Sequence, residues 1–250
     1  MNPPPILYLG DTALSGAAGY LAGLMTTYGW AYDYVPSDQA VDLAAIAGRR
    51  LYVISDYPSK LFARAAQDRL VAEVRGGAGL VMIGGWESFC GLGGDWAGTA
   101  VGDALPVAIA TVDDRVNCDQ PALAVRVAEH PAVAGLPWDE RPPTIGGFNR
   151  FTPKAASSTL LELHRFTARR QAGEVAFRLR DRHPLLVVGA CGAGRTAALA
   201  TDLAPHWVGG LVDWGDGRVT GTASGGGGIE VGDAYAGFVR GLLGWARGSG

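Results

Sequence analysis

Glu87, Ser88 and Cys90 follow directly on the run Leu80-Val81-Met82-Ile83-Gly84-Gly85-Trp86. A thiol or hydroxyl placed there could attack a carbonyl carbon, if a neighbour lowers its pKa or removes its proton. Glu87 could give or take a proton if burial raises its pKa. His206 titrates near neutrality and follows the apolar stretch from Arg195 to Thr201, which makes it the candidate proton carrier. Backbone amides near Gly85 and Trp86 could hold an oxyanion. Asp11, Asp56 and Asp202 each end a different apolar segment. Brought to one rim, they offer oxygen acceptors for a divalent cation or for the hydroxyls of a polyol. Trp86, Trp207 and Tyr57 could wall a pocket and stack on a ring or sugar face. Asn149, within Gly147-Phe148-Asn149-Arg150, could add an amide.

Each residue also has a plainer role open to it. Cys90 could be a small buried hydrophobe, and Ser88 could bond its own loop. Glu87 could pair with Arg150 or Arg195, and His206 could pack beside Trp207. Asp11 and Asp56 could cap the next helix or turn. The aromatic residues could be core, and Asn149 could tie down its own loop. His130 and His183 precede prolines and read as structural, while His164 has no assigned role. No ligand spacing marks a metal or a cofactor. Gly192-Ala193-Gly194-Arg195 lacks the phosphate-loop pattern and reads as a hairpin turn.

The elements that must position these groups show in the hydrophobic pattern. Ile6 to Leu9, Tyr32 to Val35, Leu51 to Ser55 and Leu80 to Ile83 are short apolar runs with the character of buried strands. Helical spacing covers Ala13 to Tyr28 and Leu61 to Arg75, the latter turning Phe62, Leu70 and Val74 inward and Arg64, Gln67 and Asp68 outward. Ser37 or Asp38 is positioned to cap a short helix ending at Ala47. This alternation predicts right-handed crossovers and a parallel sheet with helices on both faces. Beyond Gly94, a short helix near Asp103 feeds a strand through Thr111, and Leu123 to Val127 alternates like a half-exposed strand. Leu160 to His164, Val175 to Leu179, Leu185 to Ala190 and Arg195 to Thr201 read as antiparallel strands. Ser224 to Gly228 reads as a flexible loop, and Asp233 to Trp245 as a closing amphipathic helix. No repeat or linker divides residues 1–250, so one domain is expected.

Composition narrows the function classes. With 48% hydrophobic and 18% charged residues, the chain is globular. A net charge of −3 and no basic-aromatic run argue against nucleic acid. No apolar run approaches the roughly 20 residues of a membrane span. Met1 to Pro5 lacks signal-peptide character, and Cys90, Cys118 and Cys191 form no disulfide framework. A cytoplasmic protein without cofactor is expected, its partner a small molecule and its only assembly, if any, a homo-oligomer.

Several blocks together resemble the putative glutamine amidotransferase family, a subgroup of the class I glutamine amidotransferase-like superfamily. They are Leu9-Gly10-Asp11-Thr12, Ser55-Asp56-Tyr57-Pro58, Met82 to Phe89, Gly98-Thr99, Leu105-Pro106-Val107, Gly146 to Arg150, Gly192 to Arg195 and Thr201 to Trp207. The resemblance spans nearly the whole chain. It implies a flavodoxin-like three-layer α/β sandwich, with a mainly parallel sheet and an added antiparallel β region. It also implies a hydrolase or amidotransferase-type activity on a small polar molecule. The chain departs from the class I pattern at two points: no cysteine occupies the turn after Ile83, and no Glu follows His206 at a spacing of two. The expected site is therefore non-standard, with Cys90 or Ser88 as nucleophile, His206 as proton shuttle and Glu87 as acid or base. Asp11, Asp56, Tyr57, Gly85, Trp86, Asn149, Asp202 and Trp207 would hold the ligand. Cys90 would then alkylate selectively over Cys118 and Cys191. The alternative from another class is a non-catalytic binding or assembly protein that keeps the cleft after losing the triad.

Overall fold

The computed structural model describes residues 5–248; residues 1–4, read above for signal character, lie outside them. Strand and helix alternate through β1 (Ile6–Gly10), α1 (Ala18–Thr27), β2 (Tyr32–Val35), α2 (Leu43–Ile46), β3 (Leu51–Ser55), α3 (Arg64–Arg75) and β4 (Gly79–Ile83). The chain continues with α4 (Ala100–Ala104), β5 (Val107–Ile109), β6 (Arg115–Asn117), β7 (Ala122–Arg126), β8 (Gly147–Asn149) and β9 (Phe151–Pro153). It ends with β10 (Ser158–Gln171), β11 (Glu174–Cys191), β12 (Gly194–Leu199), β13 (Arg218–Thr222), β14 (Gly228–Gly232) and α5 (Asp233–Ala246).

One mixed sheet organises the molecule, in the order β2-β1-β3-β4-β12-β11-β10-β7. The strands from β2 through β12 pair in parallel, and β12-β11-β10-β7 pair antiparallel. All five residues of each of β1, β3 and β4 are buried, as uninterrupted apolar runs require of strands covered on both faces. The chain steps one way from β1 to β2 and the other way from β2 to β3 and β4. Right-handed crossovers then place α1 on one face and α2 and α3 on the other. Accordingly α5 packs with α1, and α3 packs with α2 and α4.

Register decides what the far edge presents. Gly10 lies opposite Ser55, Ser55 opposite Ile83, and Ile83 opposite Leu199. The carboxyl ends of four strands therefore stop in one row, and the next residues of each emerge side by side. Two short antiparallel pairs, β5 with β9 and β6 with β8, frame that edge.

Several local expectations need correction. The short helix is capped by Asp42, whose carboxylate accepts from the Ala44 amide at 2.9 Å, not by Ser37 or Asp38. Gln67 is buried, because its amide donates to the Phe62 carbonyl at 2.9 Å. Leu160 to His164 is only part of a 14-residue strand, and Val175 to Ala190 is one 18-residue strand rather than two. Pro184 concealed this continuity. It falls where β11 has no neighbour on its β12 side, since that pairing starts at Leu186, and a proline is tolerated at such an edge. Ser224 to Gly227 lie in the turn of the β13-β14 hairpin, and Gly228 opens β14 opposite Thr222.

Candidate functional site

A cleft of about 830 Å³ opens at the aligned strand ends. It lies where the order of connection reverses between β1 and β3, the place where open α/β sheets bind ligands. β1 contributes Asp11 and Thr12, β2 is followed by Ser37, and β3 by Asp56. Trp86, Glu87 and Leu92 come from the loop after β4, and His206 and Trp207 from the segment after β12.

The two aspartates occupy unusual backbone positions. Asp11 has φ 24° and Asp56 φ 50°, left-handed values at which Asp is among the better tolerated side chains. Neither caps a helix. The Asp11 carbonyl accepts from the Tyr34 hydroxyl and from the Ser37 amide, the latter at 3.2 Å. Asp56 Oδ1 accepts from the Glu87 amide at 2.8 Å, and the Asp56 amide donates to Ser88 Oγ at 3.0 Å. A Cβ at Gly85 would sit 2.0 Å from Asp56 Oδ1, so glycine makes room for this carboxylate. Gly85 and Ser88 thus position Asp56, and Ser88 itself is fully buried.

Burial and mutual repulsion shift the acids strongly. Burial first, then the charge of Asp202, moves Asp11 up to about 7. Burial, then Asp202 and Asp11, moves Asp56 up to about 8. Asp202 is 2% exposed and is also pushed up by burial. It holds His206 at 3.4 Å, carboxylate to Nδ1, and accepts from the Ala204 amide at 2.9 Å. That carboxylate, by its hydrogen bond and its charge, raises the imidazole. The His206 ring is 64% exposed and faces the opening. Burial also raises Glu87. These groups are clustered, perturbed and set in a crevice, the usual signature of a site.

Aromatic residues flank the acids. Trp86 is half exposed, with the Arg115 guanidinium 4.6 Å from its ring centre. Trp207 is buried along most of its body and donates Nε1–H to Asn117 Oδ1 at 2.8 Å. Trp86 is thus the exposed aromatic beside the acceptor oxygens, while Trp207 backs the wall.

Other expected residues lie elsewhere. Cys90 does not line the cleft. It is buried, its thiol is pushed up by burial and by Asp114, and its amide donates to Asp114 Oδ2 at 3.0 Å. Both features work against a thiolate nucleophile. Tyr57 is fully buried, its hydroxyl donating to the Gln39 carbonyl at 2.5 Å. Asn149 is buried under the loop. Its Oδ1 accepts from the Gly85 amide at 2.9 Å, and its Nδ2 donates to the Gly85 carbonyl at 3.1 Å and to Asp114 Oδ1 at 2.8 Å. The Gly85 amide is therefore not free for an oxyanion. Glu87 pairs with neither expected arginine; Arg195 instead donates to the Trp245 carbonyl at 2.6 Å. His130 accepts from the Ala132 amide and caps the turn at Pro131, in keeping with a structural role.

Sequence reasoning missed Asp114, which holds the Cys90 and Gly91 amides, and Asn117, Thr12 and Ser37 on the cleft wall. Thr12 adjoins Asp11 and was within reach of the strand-end argument. Nothing in the sequence marks Asp114, which acts through β6 and β8 rather than through a motif. Among the described residues, no group of three or more His, Cys, Asp or Glu is arranged to hold a metal.

The family model described as "Putative glutamine amidotransferase" matches residues 62–218. Among solved structures, the cytoplasmic protein STM1381 of Salmonella typhimurium LT2 is similar at 25% identity and TM-score 0.74, covering 96% of this chain and 98% of that one. The cytoplasmic protein STM3548 of Salmonella typhimurium is similar at 24% identity and TM-score 0.66, covering 81% and 89%. Nothing among the curated proteins matches the chain.

Proposed function

Because this chain belongs to the putative glutamine amidotransferase family, whose model spans more than half of it, we propose what its cleft does without the family's namesake chemistry. The cleft binds a small polar molecule rich in hydroxyl or amino donors, and no thiol takes part. One observation carries this: Asp11, Asp56, Glu87 and His206 face one crevice beside Trp86 and Trp207, while Cys90 lies outside it with a raised pKa. Carboxyl oxygens accept from donor groups, and the indole faces cover the ligand's apolar side. The protein works as a flavodoxin-like unit in the cytoplasm, a reading supported by the parallel strand order and by the names of the two Salmonella proteins.

A second reading rests on the Asp202–His206 pair. A buried carboxylate orienting an imidazole toward a cleft is the arrangement that lets histidine deprotonate a water. Asp11 or Asp56, neutral over part of the physiological range, could then protonate a leaving group. This would be hydrolysis without a covalent intermediate.

Thermal shift and calorimetry with a panel of polyols, small amines and L-glutamine, with ammonia release followed in parallel, test both readings. Trp86→Ala and Asp56→Ala should weaken the best ligand by about tenfold or more, about 1.4 kcal/mol. If the ligand turns over, His206→Gln should slow it about 100-fold or more and leave its affinity nearly unchanged. Ammonia release from L-glutamine that Cys90→Ser abolishes would overturn the proposal.

A further inference from the structure

Beyond the cleft, β10 and β11 leave the body of the molecule as a two-stranded arm. β7 pairs with β10 only from Leu161 to Arg165, and β12 pairs with β11 only from Leu186 onward. Just past these limits the Phe166 amide still donates to the Pro121 carbonyl and His183 packs on Phe148; the tip beyond is closed by Ala172 and Gly173 at φ 51° and 90°. Every residue from 169 to 180 is exposed. Last held to the body at Ala168, through the Gln120 side chain, the arm has two free strand edges.

Its composition is not that of a solvated hairpin. Register places Phe166 opposite Leu179, Ala168 opposite Phe177 and Arg170 opposite Val175, so these apolar side chains share one face. Val175, Phe177 and Leu179 are 56%, 59% and 46% exposed, and they are three of the largest exposed apolar groups on the molecule. A lone two-stranded ribbon is marginal in water, and an exposed apolar strand with open edges invites pairing.

Charge selects the occupant. Between residues 165 and 182 stand Arg165, Arg169, Arg170, Arg178, Arg180 and Arg182 against only Glu174 and Asp181, a net +4. The whole chain carries −3, which leaves −7 on everything outside the arm. The arm is thus complementary to the body of another copy of this chain and repelled by another arm. We infer that the β10-β11 arm docks on the net-acidic body of a second copy, its basic face with Arg169 and Arg178 set against that body and its apolar face with Val175, Phe177 and Leu179 covered in the same contact, the exchange being reciprocal in a closed homo-oligomer.

Sedimentation equilibrium and light scattering of the full chain test this, with Phe177→Asp/Leu179→Asp and Arg178→Glu/Arg180→Glu as variants. All four positions are exposed, so circular dichroism should match the wild type, and the unfolding midpoint should fall only by what the lost association contributed. The wild type should be oligomeric at micromolar concentration, and either variant should raise its dissociation constant about tenfold or more. Raising salt from about 0.05 to about 0.5 M should weaken the wild-type oligomer, because the charges attract across the interface. A wild-type monomer throughout, variants that keep the wild-type mass while folded, or an oligomer strengthened by salt would each overturn the inference. The last result would indicate arms pairing with arms.

Discussion

At the residue scale, the acids of the cleft make a pH argument with a definite sign. Asp11 and Asp56 have folded pKa values near 7 and 8, well above that of a free carboxyl. At these two groups the folded state binds more protons than the unfolded chain from about pH 4 to about pH 8, so their contribution to stability is lost as pH rises through that window. His206, raised by Asp202, adds in the same direction, its stabilisation being lost as pH rises through its folded pKa. Asp56→Asn keeps an oxygen for the Glu87 amide but removes the charge. It should raise the unfolding midpoint, with a gain larger at pH 8 than at pH 5; equal gains at both would show that Asp56 does not titrate in the native state. For Cys90, burial and a raised pKa count against selective alkylation. Its low exposure and raised pKa predict that iodoacetamide modifies it slowly, and that Cys90→Ser leaves ligand affinity within about twofold, by mass spectrometry and calorimetry. The carboxylate convergence was legible because an acid directly after a buried apolar run must emerge at a strand end. The placement of Cys90 was not. Phe89 at φ 52° and Gly91 at φ 54° turn the loop so that the thiol lies off the cleft, and sequence carries no sign of that turn.

At the element scale, the loop after β4 owes its shape to a clamp on the neighbouring short strands. Asp114 precedes β6 and Asn149 ends β8; between them they satisfy the amides of Gly85, Cys90 and Gly91 and the Gly85 carbonyl. Asn149→Ala leaves buried polar groups unpaired at about 1–3 kcal/mol each, so urea denaturation should show a loss of about that size or more. Loss of under about 0.5 kcal/mol would mean that water replaces the amide. Gly85→Ala should also weaken ligand binding, because its Cβ meets the Asp56 carboxylate at 2.0 Å. The strands up to Ile83 were readable from their pattern, because β1, β3 and β4 are short apolar runs ended by Gly10, by Asp56 and by Gly84. The short pairs β5-β9 and β6-β8 were not. Each is three residues per strand and is held by partners some 30 to 45 residues away, which no local pattern records.

At the scale of the whole molecule, register and strand order turn scattered residues into one cleft. Gly10, Ser55, Ile83 and Leu199 stop in line, so acids separated by up to 191 positions, Asp11 to Asp202, meet at one rim. The arm is the other property of this scale. Only Val175 to Leu179 of it read as a strand; residues 165 to 171 carried no strand pattern, and that the sheet stops short of the arm emerges only from the pairing limits of β7 and β12. The central claim, that the acidic cleft and not the thiol is the working site, is tested most directly by crystals soaked with polyols, small amines, L-glutamine and an electrophilic glutamine analogue. A polyol or amine should bind against Trp86, on the carboxyl groups of Asp11 and Asp56, with Cys90 unmodified. An empty cleft, with the analogue bonded to Cys90 Sγ, would contradict it.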